Sequence, residues 1–193
     1  MSHSIEIVNA RFPRGPFRAA IFDFDGTLSL IRRGWQDVMI PMMVEILQEV
    51  GSNESEEALT QLVTEFVTRL TGRQTIYQMI ELAEQVVQRG GTPLDPLDYK
   101  QEYHRRLWAG VEQRIATIRN GKVAAETMTI LGSQHLIEQL VQSGLTLYLA
   151  SGTDINYVRD ELELLELHSH FGERVYGALD DYKKFSKAML IHQ

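Results

Sequence analysis

The sequence predicts an α/β protein, a Rossmann-like parallel sheet core with an all-helical block inserted after a buried strand. Two short apolar runs of strand length, residues 18–24 and 145–150, stand far apart in the chain. The first run lacks clean polar alternation, which is typical of a strand covered on both faces. Apolar residues recur at helical spacing between the two runs, and strand and helix patterns alternate in the last third of the chain, as in parallel βα units.

The composition is that of a folded protein without a nucleic-acid surface or a membrane span. Of the 193 residues, 44% are hydrophobic, and the formal net charge is −7. The sequence has no cluster of basic residues of the kind that binds a phosphate backbone, which argues against nucleic acid as a partner. The N-terminus lacks the apolar stretch of a signal peptide, and no window reaches transmembrane length. We therefore expect a cytoplasmic protein with no membrane partner.

The first part of the chain is predicted to supply strands. Alternating apolar residues over 4–12 predict an edge strand that ends in a turn over 13–16. The apolar run over 18–24 predicts the buried strand that follows. Together with the later βα units, these strands define a predicted core of residues 1–30 and 128–193.

Residues 31–127 are predicted to form the inserted helical block. Apolar side chains recur there every three or four residues, and Gly51, Gly72 and Gly90 mark the ends of helices. The pattern predicts roughly four helices and contains no convincing strand.

The last third of the chain is predicted to alternate between helix and strand. An amphipathic helix over 133–144 precedes the strand over 145–150, and residues 151–154 open the next helix. A short apolar run over 173–179 follows, and a final helix begins near Lys187.

Polar side chains stand at the ends of the two predicted buried strands. Asp23 and Asp25 end the first strand, where a period of two places both on one side of the chain. Ser151 directly follows the second strand. Because ligands of open α/β sheets bind beyond the carboxyl ends of the strands, we expect all three residues at one rim.

This set of residues suits phosphoryl transfer. One carboxylate can attack phosphorus and become an aspartyl phosphate, while the other protonates the leaving alcohol and later activates water. Magnesium would neutralise the carboxylate and phosphate charges that otherwise repel one another. The hydroxyl of Ser151 and the backbone amides of Gly152 and Thr153, at a predicted helix N-terminus, suit a phosphate oxygen.

Two segments resemble motifs of the haloacid dehalogenase-like superfamily of phosphotransferases. The segment DFDGTLS, from Asp23, resembles the first motif, DxDGT, and LYLASGTD, which contains Ser151, is similar to the second. The resemblance implies that Asp23 is the nucleophile, Asp25 the general acid and base, and Ser151 a phosphate ligand. It also implies magnesium on Asp23 and on the backbone carbonyl of Asp25. The helical block corresponds to the cap of the phosphoglycolate phosphatase and β-phosphoglucomutase branches.

The resemblance also implies a lysine that steadies the phosphate and the nucleophile. Lys183, Lys184 and Lys187 are the candidates. Lys187 is favoured because Ser186 is a suitable N-cap and apolar residues follow Lys187 at helical spacing; Lys184 is the reserve.

The acidic pair of the family's fourth motif is not found after these lysines. Asp180 and Asp181 follow an apolar run, but they precede every candidate lysine. We therefore expect a core that is incomplete on its C-terminal side. The strand over 18–24 would then be exposed along one edge, and an unpaired edge invites self-association.

Two segments of the helical block are candidates for substrate contact. Arg32 and Arg33 follow the first motif and either meet a second anionic group of a substrate or form a solvated hinge. Arg73 lies between two predicted helices, in either a substrate-reading loop or a plain turn.

The expected function is a magnesium-dependent phosphatase that acts on a small phosphorylated metabolite. A phosphomutase with the same aspartate pair is the first alternative. A catalytically impaired fragment that lacks the fourth motif is the second.

Overall fold

A three-stranded parallel sheet lies at the centre of the core in the computed structural model, which describes residues 9, 11, 15–51, 53–179 and 187–191. The strands are β1 (Ala19–Phe22), β2 (Thr146–Asp154) and β3 (Val175–Ala178), in that order across the sheet. Ala19 pairs with Thr146 and Phe22 with Leu149, so the carboxyl ends of β1 and β2 reach the same rim. The predicted α/β fold with a parallel sheet is confirmed.

Four helices follow β1, as predicted. They are α1 (Trp35–Glu49), α2 (Glu56–Leu70), α3 (Thr75–Gln88) and α4 (Pro96–Arg119). Capping residues define two of their starts: Ser55 accepts a hydrogen bond from the Ala58 N–H, and Asp95 accepts one from the Leu97 N–H. All four lie within residues 31–127, and the division between core and helical block at those bounds stays a prediction.

The fourth helix, α4, has 24 residues and is the longest of the described helices. Its buried stripe continues at every fourth residue through Tyr103, Leu107, Val111 and Ile115, so the core-facing side persists to its last turn. A 3₁₀ turn (Ala125–Met128) then leads back to the core.

The rest of the core alternates between helix and strand, as expected. The helices are α5 (Ser133–Gln142), α6 (Ile155–Leu164), the single-turn α7 (His168–Phe171) and the short α8 (Lys187–Ile191). One hydrophobic cluster joins the buried faces of α1–α4 to those of the sheet, α5 and α6.

The second strand extends further than the sequence predicts. Residues 151–154 were expected to open the next helix, but β2 continues through Asp154 and α6 begins at Ile155. The register with β3 shifts between Ala150 and Asp154. Gly177 makes this possible, because a Cβ at that position would clash with the backbone of Ile155.

Strand β1 stands at the edge of the sheet formed by the described residues. It pairs with β2 alone there, and Ile21 on this edge is 44% exposed. The predicted edge strand over 4–12 falls almost wholly outside the described residues. Self-association through this edge stays a prediction.

None of the described helices combines the length and the apolar character that crossing a bilayer requires.

The helical block touches the end of β2 through the turn between α2 and α3. A Cβ built on Gly152 would overlap the carbonyl oxygen of Arg73 and lie 3.3 Å from the Cα of Gln74. Because both neighbours are backbone atoms, no side-chain rotation could relieve this overlap. Only glycine permits the observed approach of the turn to the strand.

Replacing Gly152 with alanine is therefore expected to push the α2–α3 turn away from β2. The free energy of unfolding should fall by about 1–3 kcal/mol, the usual range for overpacking, as measured by urea denaturation.

Gly110→Ala is the matched control, because a Cβ on this glycine of α4 meets nothing within 4 Å. In a helix interior this change should be neutral or stabilise by about 0.5–1 kcal/mol. Equal stability of Gly152→Ala and the wild type would contradict the tight approach.

Candidate functional site

A cavity of about 90 Å³ lies where the rim of the sheet faces the helical block. The core side of its wall includes Asp23, Asp25 and Gly152, and the opposite side includes Arg73 and His104. The residues that sequence reasoning placed at one rim are therefore brought together beneath the helical block.

The turn after β1 aims the two aspartates. The carbonyl of Phe24 accepts hydrogen bonds from the N–H groups of Thr27, Leu28 and Ser29. Gly26 adopts a φ of 76°, a left-handed conformation that glycine takes without strain. Phe24 is fully buried between the two aspartates and anchors the turn in the core.

Asp23 is the more accessible carboxylate of the pair. Its side chain is 39% exposed, and its Oδ1 accepts a hydrogen bond of 2.5 Å from the Nζ of Lys187. A longer contact of 3.4 Å joins the Thr27 hydroxyl to Oδ2. Lys187 is thus the candidate lysine that meets Asp23, while Lys183 and Lys184 lie outside the described residues.

Asp25 is held in a different environment. Its Oδ2 accepts hydrogen bonds from the Ser151 hydroxyl at 3.0 Å and the Thr153 hydroxyl at 2.9 Å. Its Oδ1 is buried without a hydrogen bond and lies 3.9 Å from the Nε of Arg32. Burial raises the pKa of Asp25, although Arg32 and the two hydroxyls oppose that shift.

Ser151 faces the carboxylate rather than the cavity. Its side chain is buried, and its Oγ donates to Asp25 and accepts a hydrogen bond from the Thr153 N–H. One of the amides expected to be free for phosphate is therefore occupied, whereas Gly152 does line the cavity. The phosphate-binding roles of Ser151 and Gly152 stay predictions.

Arg32 is buried within the wall of the cavity. Its Nε and a terminal nitrogen donate to the Oε1 of Glu161 at 2.9 and 2.7 Å, and its guanidinium carbon lies 5.1 Å from the ring centre of Tyr157. Burial raises the pKa of Glu161 to about 7, Arg32 opposes the shift, and the charge of Asp25 adds to it. The buried carboxyl of Glu161 and the partly buried carboxyl of Asp25 thus share one buried cation.

The three arginine candidates from the sequence lie in different places. Arg33 is exposed and is not part of the cavity wall, so it is its neighbour Arg32 that reaches the cavity. Arg73 lines the cavity from the α2–α3 turn and is exposed.

A second polar cluster joins α4 to the end of β2. The Nζ of Lys100 lies 2.5 Å from one oxygen of Asp154, and the Nδ1 of His104 lies 3.9 Å from the other. Burial lowers the pKa of His104 to about 4, although the charge of Asp154 opposes the shift. His104 is therefore neutral near pH 7 and packs its ring edge-on against Tyr157.

The carboxylate oxygens of this site are of the type that magnesium prefers as ligands. Magnesium prefers oxygen ligands and commonly combines one or two carboxylates with waters and substrate phosphate oxygens. The partly exposed carboxylate of Asp23 matches that description, whereas the side chain of Asp25 is occupied by two hydroxyls. The described part of the chain contains no cluster of three acidic or histidine ligands, and Asp180 and Asp181 lie outside it.

Sequence reasoning missed Glu161, Tyr103 and His104. A periodicity signal existed for Glu161, because it falls in the apolar stripe of α6 between Val158 and Leu162. A charged residue in such a stripe needs a buried partner. No comparable signal marks His104, which lines the cavity only because of how α4 packs on α6.

A comparison with models of protein families gives a match over most of the chain. The family model for haloacid dehalogenase-like hydrolases matches residues 17–191. A search among curated proteins finds no match.

Several solved structures are similar to this chain. The "putative beta-phosphoglucomutase" of Thermotoga maritima is 17% identical with a TM-score of 0.43, and the match covers 89% of this chain and 65% of that one. A hydrolase from Streptococcus pneumoniae TIGR4 is 14% identical with a TM-score of 0.39, covering 91% and 75%. A HAD family hydrolase from Deinococcus radiodurans R1, with bound phosphate and sodium, is 23% identical with a TM-score of 0.38, covering 84% and 58%. The chain thus spans slightly less than two thirds of the Thermotoga protein.

The low pKa of His104 predicts a pH-dependent stability. Between about pH 4 and pH 6.5 the unfolded chain binds a proton at this histidine and the folded chain does not, so the free energy of unfolding should rise with pH. Compared with His104→Gln, the wild type should gain about 1–3 kcal/mol over this interval and nothing further above pH 7. Urea denaturation at several pH values measures both curves. Parallel curves for the two proteins would contradict the prediction.

Proposed function

Because this chain belongs to the haloacid dehalogenase-like hydrolase family, we propose that it is a phosphatase that acts on a small phosphorylated metabolite through an aspartyl phosphate. The single observation that carries the proposal is the pairing of two unlike carboxyls in one cavity. Asp23 is partly exposed and bound to Lys187, whereas Asp25 is partly buried and accepts hydrogen bonds from two hydroxyls.

Asp23 has the properties of the nucleophile. Its carboxylate is partly exposed at the cavity, so a phosphorus atom can reach it. In the first step a carboxylate oxygen of Asp23 bonds to phosphorus while the bond from phosphorus to the leaving oxygen breaks. Lys187 holds the carboxylate in place and offers positive charge to the phosphoryl oxygens as their charge redistributes.

Asp25 has the properties of the acid and base. Its raised pKa favours the protonated form that a proton donor needs, and the leaving oxygen would take that proton. In the second step the Asp25 carboxylate accepts a proton from the water that attacks the aspartyl phosphate. Inorganic phosphate leaves, Asp23 is regenerated, and Asp25 is protonated again.

Magnesium, bound at the carboxylate of Asp23 and the backbone carbonyl of Asp25, would neutralise negative charge on the phosphate and the nucleophile. The residues of the chain supply the remaining functions: attack, proton transfer and exclusion of water. The helical block serves the last of these, because its α2–α3 turn packs directly on Gly152 beside the cavity.

The substrate is expected to be small. The cavity has a volume of only about 90 Å³ with the α2–α3 turn in its observed position. Arg73 on this turn is an exposed cation that lines the cavity, and it supports the sequence-based assignment of this residue to substrate contact. In the part of the chain that the structure describes, no ion pair engages its guanidinium.

Asp23→Asn tests the nucleophile. With 4-nitrophenyl phosphate and magnesium, phosphate release by the variant should fall by about a thousandfold or more, because an amide oxygen cannot form the aspartyl phosphate. Asp98→Asn, at an exposed carboxylate in the first turn of α4, is the matched control and should keep full activity. Equal rates for the wild type and Asp23→Asn would refute the proposed function. With a sugar phosphate as the substrate, formation of its isomer without phosphate release would identify a mutase instead.

Lys187→Ala tests the assignment of the lysine. Loss of a preorganised donor beside the reacting carboxylate should lower kcat by about a hundredfold. Lys122→Ala removes an exposed lysine from the loop after α4 and should leave kcat unchanged. Steady-state kinetics on the same aryl phosphate distinguishes the two, and an unaffected Lys187→Ala would exclude this lysine from the site.

A further inference from the structure

The two oxygens of the Asp25 carboxyl have unequal surroundings. Oδ2 is fixed by the hydroxyls of Ser151 and Thr153 from the end of β2. Oδ1 is buried, has no hydrogen bond, and lies 3.9 Å from the Nε of Arg32. The hydroxyls therefore fix one oxygen, and the orientation of the other depends on what packs beside it.

Arg32 is itself held on several sides. Glu161 accepts two of its hydrogen bonds through a single oxygen, and the ring of Tyr157 lies against its guanidinium. The backbone before it is also fixed, because Arg114 of α4 donates a hydrogen bond of 2.7 Å to the carbonyl of Ile31. A long cationic side chain thus has a single defined position in the wall of the cavity.

We propose that Arg32, braced by Glu161, is a positioning residue that holds the Asp25 carboxyl in the orientation from which it delivers a proton to the leaving oxygen. The inference rests on the proposed function, in which Asp25 is the acid and base. Arg32 acts through Asp25 and is not assigned a contact with the substrate.

The charges around Arg32 favour this role over binding a second anionic group of the substrate. Arg32 already faces two carboxyls, Glu161 at 2.7 Å and Asp25 at 3.9 Å. A further anion would meet a cation whose charge is already balanced. Arg73 and Lys187 are the cations at the cavity wall that remain closer to solvent.

The test compares two substrates that differ in how much they need an acid. The leaving oxygen of phenyl phosphate is more basic than that of 4-nitrophenyl phosphate, so breaking its bond to phosphorus depends more on a proton donor. The ratio kcat/KM covers the steps up to the breaking of this bond. Arg32→Gln should lower kcat/KM about tenfold or more for phenyl phosphate and about threefold or less for 4-nitrophenyl phosphate. Asp25→Asn should also lower kcat/KM more for phenyl phosphate than for 4-nitrophenyl phosphate, and its losses should be larger than those of Arg32→Gln.

The chain offers a matched control for Arg32 and another for Glu161. Arg33→Gln changes the adjacent, exposed arginine, and Glu163→Gln changes an exposed glutamate of the same helix as Glu161. Neither should change kcat/KM for either substrate. Glu161→Gln keeps the shape of the side chain and removes its charge. Like Arg32→Gln, it should therefore lower kcat/KM more for phenyl phosphate than for 4-nitrophenyl phosphate. If Arg32→Gln does not fold, Glu161→Gln alone tests the positioning role.

Each outcome has one meaning. Asymmetric losses in Arg32→Gln or Glu161→Gln support the positioning role. Equal losses on both substrates, or no loss, overturn it, because a purely structural contribution lowers both rates by the same factor. A wild type that releases no phosphate from either substrate would contradict the proposed function and the inference with it. That result is distinct from equal losses in an active enzyme.

Discussion

Burial of the Asp25 carboxyl is the constraint on which the arrangement of this site depends. A carboxyl removed from water must be satisfied by donors or by a cation, or it destabilises the fold. The chain supplies two hydroxyls, from Ser151 and Thr153, and the guanidinium of Arg32. These donors come from the end of β2 and from the entry to the helical block. Satisfying one side chain therefore fixes three segments relative to one another.

The cation brings a requirement of its own. Arg32 is buried, and Glu161 of α6 balances its charge and accepts two of its hydrogen bonds. Burial raises the pKa values of both carboxyls, and the guanidinium that they share opposes both shifts. One proton shared within this cluster would leave it close to neutral, which is the condition for burying it at modest cost. The same condition leaves Asp25 suited to donate a proton.

The sequence predicted the parts of this site that depend on local order, and missed those that depend on packing. Asp23 and Asp25 follow a buried strand and precede a glycine turn, so their place at the rim follows from the order of residues alone. The prediction that residues 151–154 begin a helix was wrong. These residues stay extended as the end of β2, where the register against β3 shifts. Burial of Arg32 in place of Arg33 depends on which side of the turn faces α6, and no spacing in the sequence encodes that.

The close approach of the α2–α3 turn to Gly152 relates the surroundings of Asp25 to the entry of ligands into the cavity. The turn touches the strand end that carries Ser151 and Thr153, so the segment that borders the cavity also lies on the donors of Asp25. The ion pair of Lys100 and Asp154 also joins α4 to this strand end, so a second contact holds the helical block against β2. Movement of the helical block away from β2 would therefore also disturb the hydroxyl donors of Asp25.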